Sequence, residues 1–149
     1  MNIVVRKARA EDVEPIFDIR TSVVQNHLSR EQLSDMGITP ETLIEMLAAD
    51  AGIWIAEVDG IPAAFSSIDD EDGSVFALFV SPDFEGLGLA RLLLQEAETA
   101  LFRTHETIWL ETDGHDGIRA NGFYQKHGWI HVDTMANGDV RYEKRRPAE

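Results

Sequence analysis

The sequence predicts a mixed α/β fold: a mostly antiparallel sheet of six to seven strands with a central parallel pair, and about four helices on both of its faces. Three observations carry this. Ser74–Thr112 reads as strand, helix, strand, a unit whose two strands lie parallel with a right-handed crossover. Asp59-Gly60 stands between two strand-like segments as a two-residue hairpin turn does, and a second hairpin closes around Asn137-Gly138. The stretches between the remaining strands repeat apolar residues at three- and four-residue spacing, the helical period.

Taken in order, Ile3–Lys7 is a first strand. Ala10 to about His27 is a helix with Val13, Ile16, Phe17, Val23 and Val24 on its buried side. Gly37 breaks the chain, and Thr39-Pro40 opens a second helix, threonine as N-cap and proline in the first turn, with Leu43, Met46 and Leu47 inward. Ile53–Val58 and Ile61–Ile68 form a hairpin, and the acidic tip Asp69–Gly73 turns into Ser74–Val80. That last strand is nearly all apolar, as expected of one covered on both faces. A helix from Gly88 to about Thr104 buries Ala90, Leu93, Leu94, Ala97 and Leu101. Thr107–Thr112 is the next strand, about 117–127 a short helix, and Trp129–Met135 with Asp139–Lys144 a closing hairpin. Trp54 and Trp109 fall inside strands, as core residues.

Composition narrows the function. The 149 residues, 44% apolar, suit one domain (1–149) with one sizeable core. Thirteen basic against 27 acidic residues give a net charge of −14, which disfavours nucleic acid as a partner and leans toward a cationic one. There is no cysteine, hence no disulfide, no thiolate metal ligand and no thiol nucleophile. The five histidines show no metal-ligand spacing, so no metal is expected. The first residues lack a signal-peptide core, and no apolar run nears the roughly 18 residues that span a bilayer; a cytoplasmic protein away from membranes is the expectation.

Two motifs carry the chemistry. Val80-Ser81-Pro82 ends an apolar strand, and Glu85-Gly86-Leu87-Gly88-Leu89-Ala90-Arg91 opens a long helix. Backbone N–H groups and the positive end of the helix dipole there suit a diphosphate. About thirty residues later, Ala120-Asn121-Gly122-Phe123-Tyr124-Gln125-Lys126-His127-Gly128-Trp129 sets an aromatic pair on a short helix before a glycine and an aromatic. Read alone, Phe123 and Trp129 are core, Tyr124 caps the core and Gly128 stops the helix.

Together the two segments resemble the GNAT superfamily of acyl-CoA-dependent N-acetyltransferases, whose element order agrees over essentially the whole chain. In that family a strand ending V-x-P leads into [QR]-x-x-G-x-[GA], and N-x-x-A-x-x-F-Y-x-x-x-G-[FW] follows later. Gly88 and Ala90 fill the small positions of the first motif; Ala120, Phe123, Tyr124, Gly128 and Trp129 match the second. Two positions depart: Glu85 replaces Gln or Arg, and Gly117 replaces asparagine. Both bear on cofactor affinity more than on fold.

The resemblance implies acetyl transfer from acetyl-CoA to a primary amine, of a small molecule, a peptide or a protein, by direct attack. It implies a diphosphate held by the Glu85–Arg91 segment, with Arg91 or Arg119 as candidate positive charges. It places the pantetheine arm beside Leu78, Phe79 and Val80, an oxyanion donor near Val80, and Tyr124 as the general acid. The base stays open among Glu111, Asp113 and His115. A homodimer is compatible with the family. Two other readings are a non-catalytic acyl-CoA sensor, motivated by Glu85, Gly117 and the lack of an acid on the strand Ser74–Val80, and a dinucleotide binder. The latter is disfavoured because Arg91 holds the place of the third glycine of G-x-G-x-x-G. Acceptor choice falls to about 25–38 and 135–140, which carry no readable motif.

Overall fold

The computed structural model describes residues 1–23, 28–49, 51–114 and 119–148. In chain order it forms β1 (Ile3–Lys7), a 3-10 turn (Ala10–Asp12), α1 (Val13–Ser22), α2 (Arg30–Asp35), α3 (Pro40–Ala48), β2 (Ile53–Val58), β3 (Ile61–Asp69) and β4 (Ser74–Val80). A second 3-10 turn (Pro82–Phe84) leads to α4 (Leu89–Leu101), β5 (Thr107–Asp113), α5 (Arg119–Lys126), β6 (Ile130–Thr134) and β7 (Asp139–Arg145). The seven strands make one sheet in the order β1-β2-β3-β4-β5-β7-β6. Only β4 and β5 pair in parallel.

Local chemistry explains most boundaries. Asp59 and Gly60 both hold positive φ, 51° and 81°, and join Val58 to its partner Ile61 in a two-residue turn. Thr39 caps α3 by accepting from the Thr42 N–H at 3.2 Å, with Pro40 in the first turn. At the start of α1, the Asp12 carboxylate accepts from the Arg9 N–H (2.7 Å) and from both terminal nitrogens of Arg6 (2.7 and 2.9 Å). Burial pushes the Asp12 carboxyl up, but these donors outweigh it and hold it below the ordinary carboxylate value.

The sheet divides two cores. Alternate residues of β2 go opposite ways. Ile53 and Ile55 join Val13, Ile16, Phe17 and Ile19 of α1, Leu33 of α2 and Leu43 of α3. Trp54, Ala56 and Val58 join Leu89, Leu93, Leu94, Ala97 and Leu101 of α4.

Several sequence expectations are corrected. The first helix ends at Ser22, not near His27; residues 24–27 lie outside the described ones. A further helix, α2, lies where no motif was read, so the described residues hold five helices rather than about four. Its signal is the box Ser29-Arg30-Glu31-Gln32, in which the Gln32 N–H donates to Ser29 Oγ (3.1 Å) and the Ser29 N–H to Gln32 Oε1 (2.8 Å). It ends as the Gly37 and Ile38 N–H groups donate back to the Ser34 and Leu33 carbonyls. α3 packs on α1 with Leu43 as its buried residue, and Met46 is left 38% exposed instead of inward. Ala90 and Trp109 are half-buried rather than fully core. Trp109 instead donates Nε1–H to the Asp72 carbonyl (3.0 Å) under the Arg141 guanidinium, 4.2 Å from the ring centre. Nor is β4 covered on both faces. Phe76 is 62% exposed and residues Ala77–Val80 are half-buried. The cause is a break in the sheet.

Candidate active site

Along β3, Ser67 pairs with Ala77 and the next residue, Ile68, pairs with Val75. Phe76 is the extra residue of a β-bulge, which bends and twists its strand. On its other side β4 meets β5 at the single register pair Ser74↔Trp109. Past the bulge, β4 stays with β3 and leaves β5.

Which backbone groups this exposes follows from the ladder. The Ser81 N–H donates to the Ala63 carbonyl at 2.8 Å, and the antiparallel register continues through Phe79↔Phe65. In such a ladder alternate residues direct their N–H and C=O to opposite sides. Phe79 therefore faces β3 with its main chain, whereas Leu78 and Val80 direct theirs into the gap toward β5.

The gap opens into a cleft of about 1070 Å³. Leu78, Phe79 and Val80 form its floor, the Glu85–Arg91 turn its mouth, and Leu110, Phe123 and Tyr124 its far wall. Leu87 of that turn and Phe84 just before it pack on the α4 core and anchor it. Leu89 is buried with them and still borders the cleft. Gly86 and Gly88 both hold φ near 80°, a left-handed conformation that disfavours a Cβ, and at each a Cβ would meet no protein atom within 4 Å. Gly88 is the N-cap of α4, so the first-turn N–H groups, Leu89, Ala90 and Arg91, have no carbonyl one turn back to donate to. Open space, first-turn donors without an intrahelical partner and the helix dipole coincide there, and this fits a diphosphate. Glu85 and Arg91 are both exposed at the mouth.

Tyr124 comes from α5, held on three sides. Its ring lies 5.4 Å from Phe123, 5.9 Å from Tyr142 and 6.1 Å from Trp129. The helix ends as the Trp129 N–H donates to the Tyr124 carbonyl (3.0 Å) after Gly128, at φ 90°. Tyr124 is only 7% exposed, and that remainder faces the cleft. Burial, and secondarily the neighbouring Tyr142, push its phenol well above the ordinary tyrosine value. It keeps its proton throughout the neutral and mildly alkaline range.

A second hollow of about 1030 Å³ lies against α1, α2 and α3, with Phe17, Ile38, Met46 and Phe65 among its walls. It shares Phe76 and Ala77 with the first. Arg20, half-buried there, lies 4.1 Å over the Phe79 ring, and burial lowers its pKa. Sequence reading missed Arg20 and also Val23, which reaches the cleft; the apolar spacing of α1 marks what it buries, not what it offers across the sheet. Glu111 lines the cleft. The side chains of Asp113, Arg119 and Ala120, and all of His115 and Gly117, lie outside the described residues. Among the described residues no group of histidine and acidic side chains is placed to hold a metal ion, and no helix is long and apolar enough to cross a membrane.

The acetyltransferase (GNAT) family profile matches residues 13–129. The chain belongs to the GNAT family. Among curated proteins this GNAT chain is similar to the peptidyl-lysine N-acetyltransferase YjaB of Salmonella typhimurium, 29% identical over 133 residues, 87% of this chain and 84% of that one. Among solved structures it is similar to the PaiA N-acetyltransferase of Thermoplasma acidophilum in complex with coenzyme A, with a TM-score of 0.82 at 20% identity, covering 98% and 100% of the two chains. It also superposes on YncA of Salmonella typhimurium, described as a putative acetyltransferase with acetyl-CoA, with a TM-score of 0.78 at 15% identity over 100% and 96%. The GNAT chain is thus an acyltransferase by family, and its mixed sheet with one parallel pair is the fold of these neighbours.

Proposed function

We propose that the whole chain works as one N-acetyltransferase domain moving an acetyl group from acetyl-CoA to a primary amine. The observation that carries this is the divergence of β4 from β5, which turns the main chain of Leu78 and Val80 toward the wall that bears Tyr124. The amides of Gly86, Gly88, Leu89, Ala90 and Arg91 receive the diphosphate, and the pantetheine arm adds to the open edge of β4 like a strand. The amine lone pair forms the new C–N bond at the thioester carbonyl. The carbonyl oxygen, gaining charge, accepts from the Val80 N–H. As the C–S bond breaks, the sulfur takes the Tyr124 proton, and the proton that the nitrogen sheds on becoming an amide passes to solvent, from which the phenol is restored. A phenol whose pKa is pushed up holds that proton until a thiolate forms beside it.

The acceptor must lose a proton before attack, since an alkylamine has a reference pKa of about 10.4. Glu111, on the cleft, is the described candidate for the base. The hollow that meets the cleft at Phe76 and Ala77 is the acceptor's approach, and its apolar walls suit a methylene chain. With a relative named for peptidyl-lysine acetylation, lysine side chains head the acceptor series. The test is thiol release from acetyl-CoA against lysine peptides, polyamines, amino acids and aminoglycosides. Acceptor-dependent release by at least one amine is expected; release that never exceeds the rate without acceptor contradicts the proposal.

A further inference from the structure

Tyr124 is placed by its helix, and the helix is placed by a residue on another strand. Asn121, Tyr124 and Gln125 stand at i, i+3 and i+4 on α5, hence on one face. That face rests on Tyr142 of β7. The Tyr142 hydroxyl donates to Asn121 Oδ1 at 2.9 Å and accepts from Gln125 Nε2 at 3.3 Å. A phenol has one proton to give, and here it goes to Asn121. The two bonds bracket Tyr124 along the helix, and the Tyr142 ring, 2% exposed, backs the Tyr124 ring at 5.9 Å.

One turn further on, Lys144 of β7 donates Nζ–H to the His127 carbonyl (3.0 Å) and to Glu98 of α4 (2.7 Å), and Trp129 donates Nε1–H to the same carboxylate (3.1 Å). The last turn of α5 is thereby fixed to β7 and α4. Among the described residues no hydrogen bond reaches the Tyr124 hydroxyl, and no buried side-chain oxygen lacks a partner. That hydroxyl is left to the cleft, and its aim depends on the helix that carries it.

We infer that Tyr142 is a positioning residue for the transfer: its hydroxyl, through Asn121 and Gln125, sets the rotation of α5 that points Tyr124 at the reacting sulfur. The inference rests on Tyr124 acting as the acid. Proton transfer tolerates little displacement, and a shift of about 1 Å costs up to about 100-fold in rate. Tyr142→Phe removes the hydroxyl and keeps the ring. Its expected signature is a kcat lowered about 10- to 100-fold, an unchanged KM for acetyl-CoA and a Tm within a few degrees of the parent.

The deciding experiment is a cycle of Tyr142→Phe, Tyr124→Phe and the double variant, assayed by thiol release with a saturating amine. With Tyr124 already phenylalanine there is no acid left to aim, so the second substitution should add nothing. Equal rates for Tyr124→Phe and the double variant support positioning. Full multiplication of the two losses overturns it, as does a normal kcat in Tyr142→Phe beside an impaired Tyr124→Phe. A normal Tyr124→Phe removes the acid itself and the inference with it, an outcome distinct from the other two. Should Tyr142→Phe fold poorly, Asn121→Ala and Gln125→Ala are read the same way: lowered kcat in the parent and no further loss with Tyr124→Phe support the inference, and unchanged kcat in both overturns it.

Discussion

Strand β5 has two different sides. Toward β7 it is laddered from Thr107↔Arg145 to Asp113↔Asp139 without a break. Toward β4 it is joined only at Ser74↔Trp109. The same strand is a closed seam on one edge and the wall of a cleft on the other. The difference comes from Phe76, one extra residue in β4, and not from any change in the apolar character of the strands. The closed side holds Tyr142 and Lys144, which support α5; the open side receives what α5 presents. A site assembled this way sets the support of α5 and the cleft that α5 faces on opposite edges of one strand.

If that division holds, substitutions on the two edges should have different consequences. The largest expected effect lies on the open side: Tyr124→Phe lowers kcat by about 10²- to 10⁴-fold, with acetyl-CoA affinity, read by calorimetry, nearly unchanged. A comparable loss of affinity and turnover would mean that Tyr124 binds rather than donates. On the β5 backbone itself, Ile108 is fully buried beneath α4. Ile108→Ala is expected to destabilise by about 2–5 kcal/mol in urea unfolding, while turnover per folded molecule is retained. Loss of turnover at unchanged stability would show that Ile108 serves the site and not only the core.

Gly88→Val tests the mouth. Its φ of 80° strains any side chain, and the Cβ enters space no protein atom fills. Coenzyme A affinity should fall about 10- to 100-fold, or about 1.4–3 kcal/mol, with a smaller loss of stability. The smallest effect belongs to Glu85, exposed at the same mouth. Glu85→Gln should tighten coenzyme A about two- to fivefold at low salt, in line with about 0.3–1 kcal/mol for a charge near a helix terminus, and the gain should fade as salt rises. A weaker complex would show that the carboxylate takes part in binding.

Much of this was legible in the residues. The turn glycines, the Thr39-Pro40 start and the strand-helix-strand unit set local structure through φ, capping and periodicity, which depend on neighbours in sequence. The loop of Gly86 and Gly88 and the Phe123-Tyr124 pair were likewise visible as motifs. The bulge was not. Ser74-Val75-Phe76-Ala77-Leu78 reads as an unbroken apolar run, and nothing in it says that Ile68 and Ser67 of β3 will skip Phe76. A register shift is decided by the partner strand. Tyr142 was hidden for a similar reason: alternation with Val140 marks it as inward, but its contact with Asn121 joins residues 21 apart. The α2 capping box lay in plain view, and its short apolar content, essentially Leu33, concealed it.

The proposed transfer requires that, past the bulge, Leu78 and Val80 offer their main chain to the coenzyme while Ala77 and Phe79 remain tied to β3. Amide hydrogen exchange, followed residue by residue by NMR with and without saturating coenzyme A, reads that alternation directly. Ala77 and Phe79 should already be slow in the free protein, and Leu78, Val80, Gly86 and Gly88 should slow only when coenzyme A is added. Bound coenzyme A that leaves Leu78 and Val80 exchanging as before would contradict it.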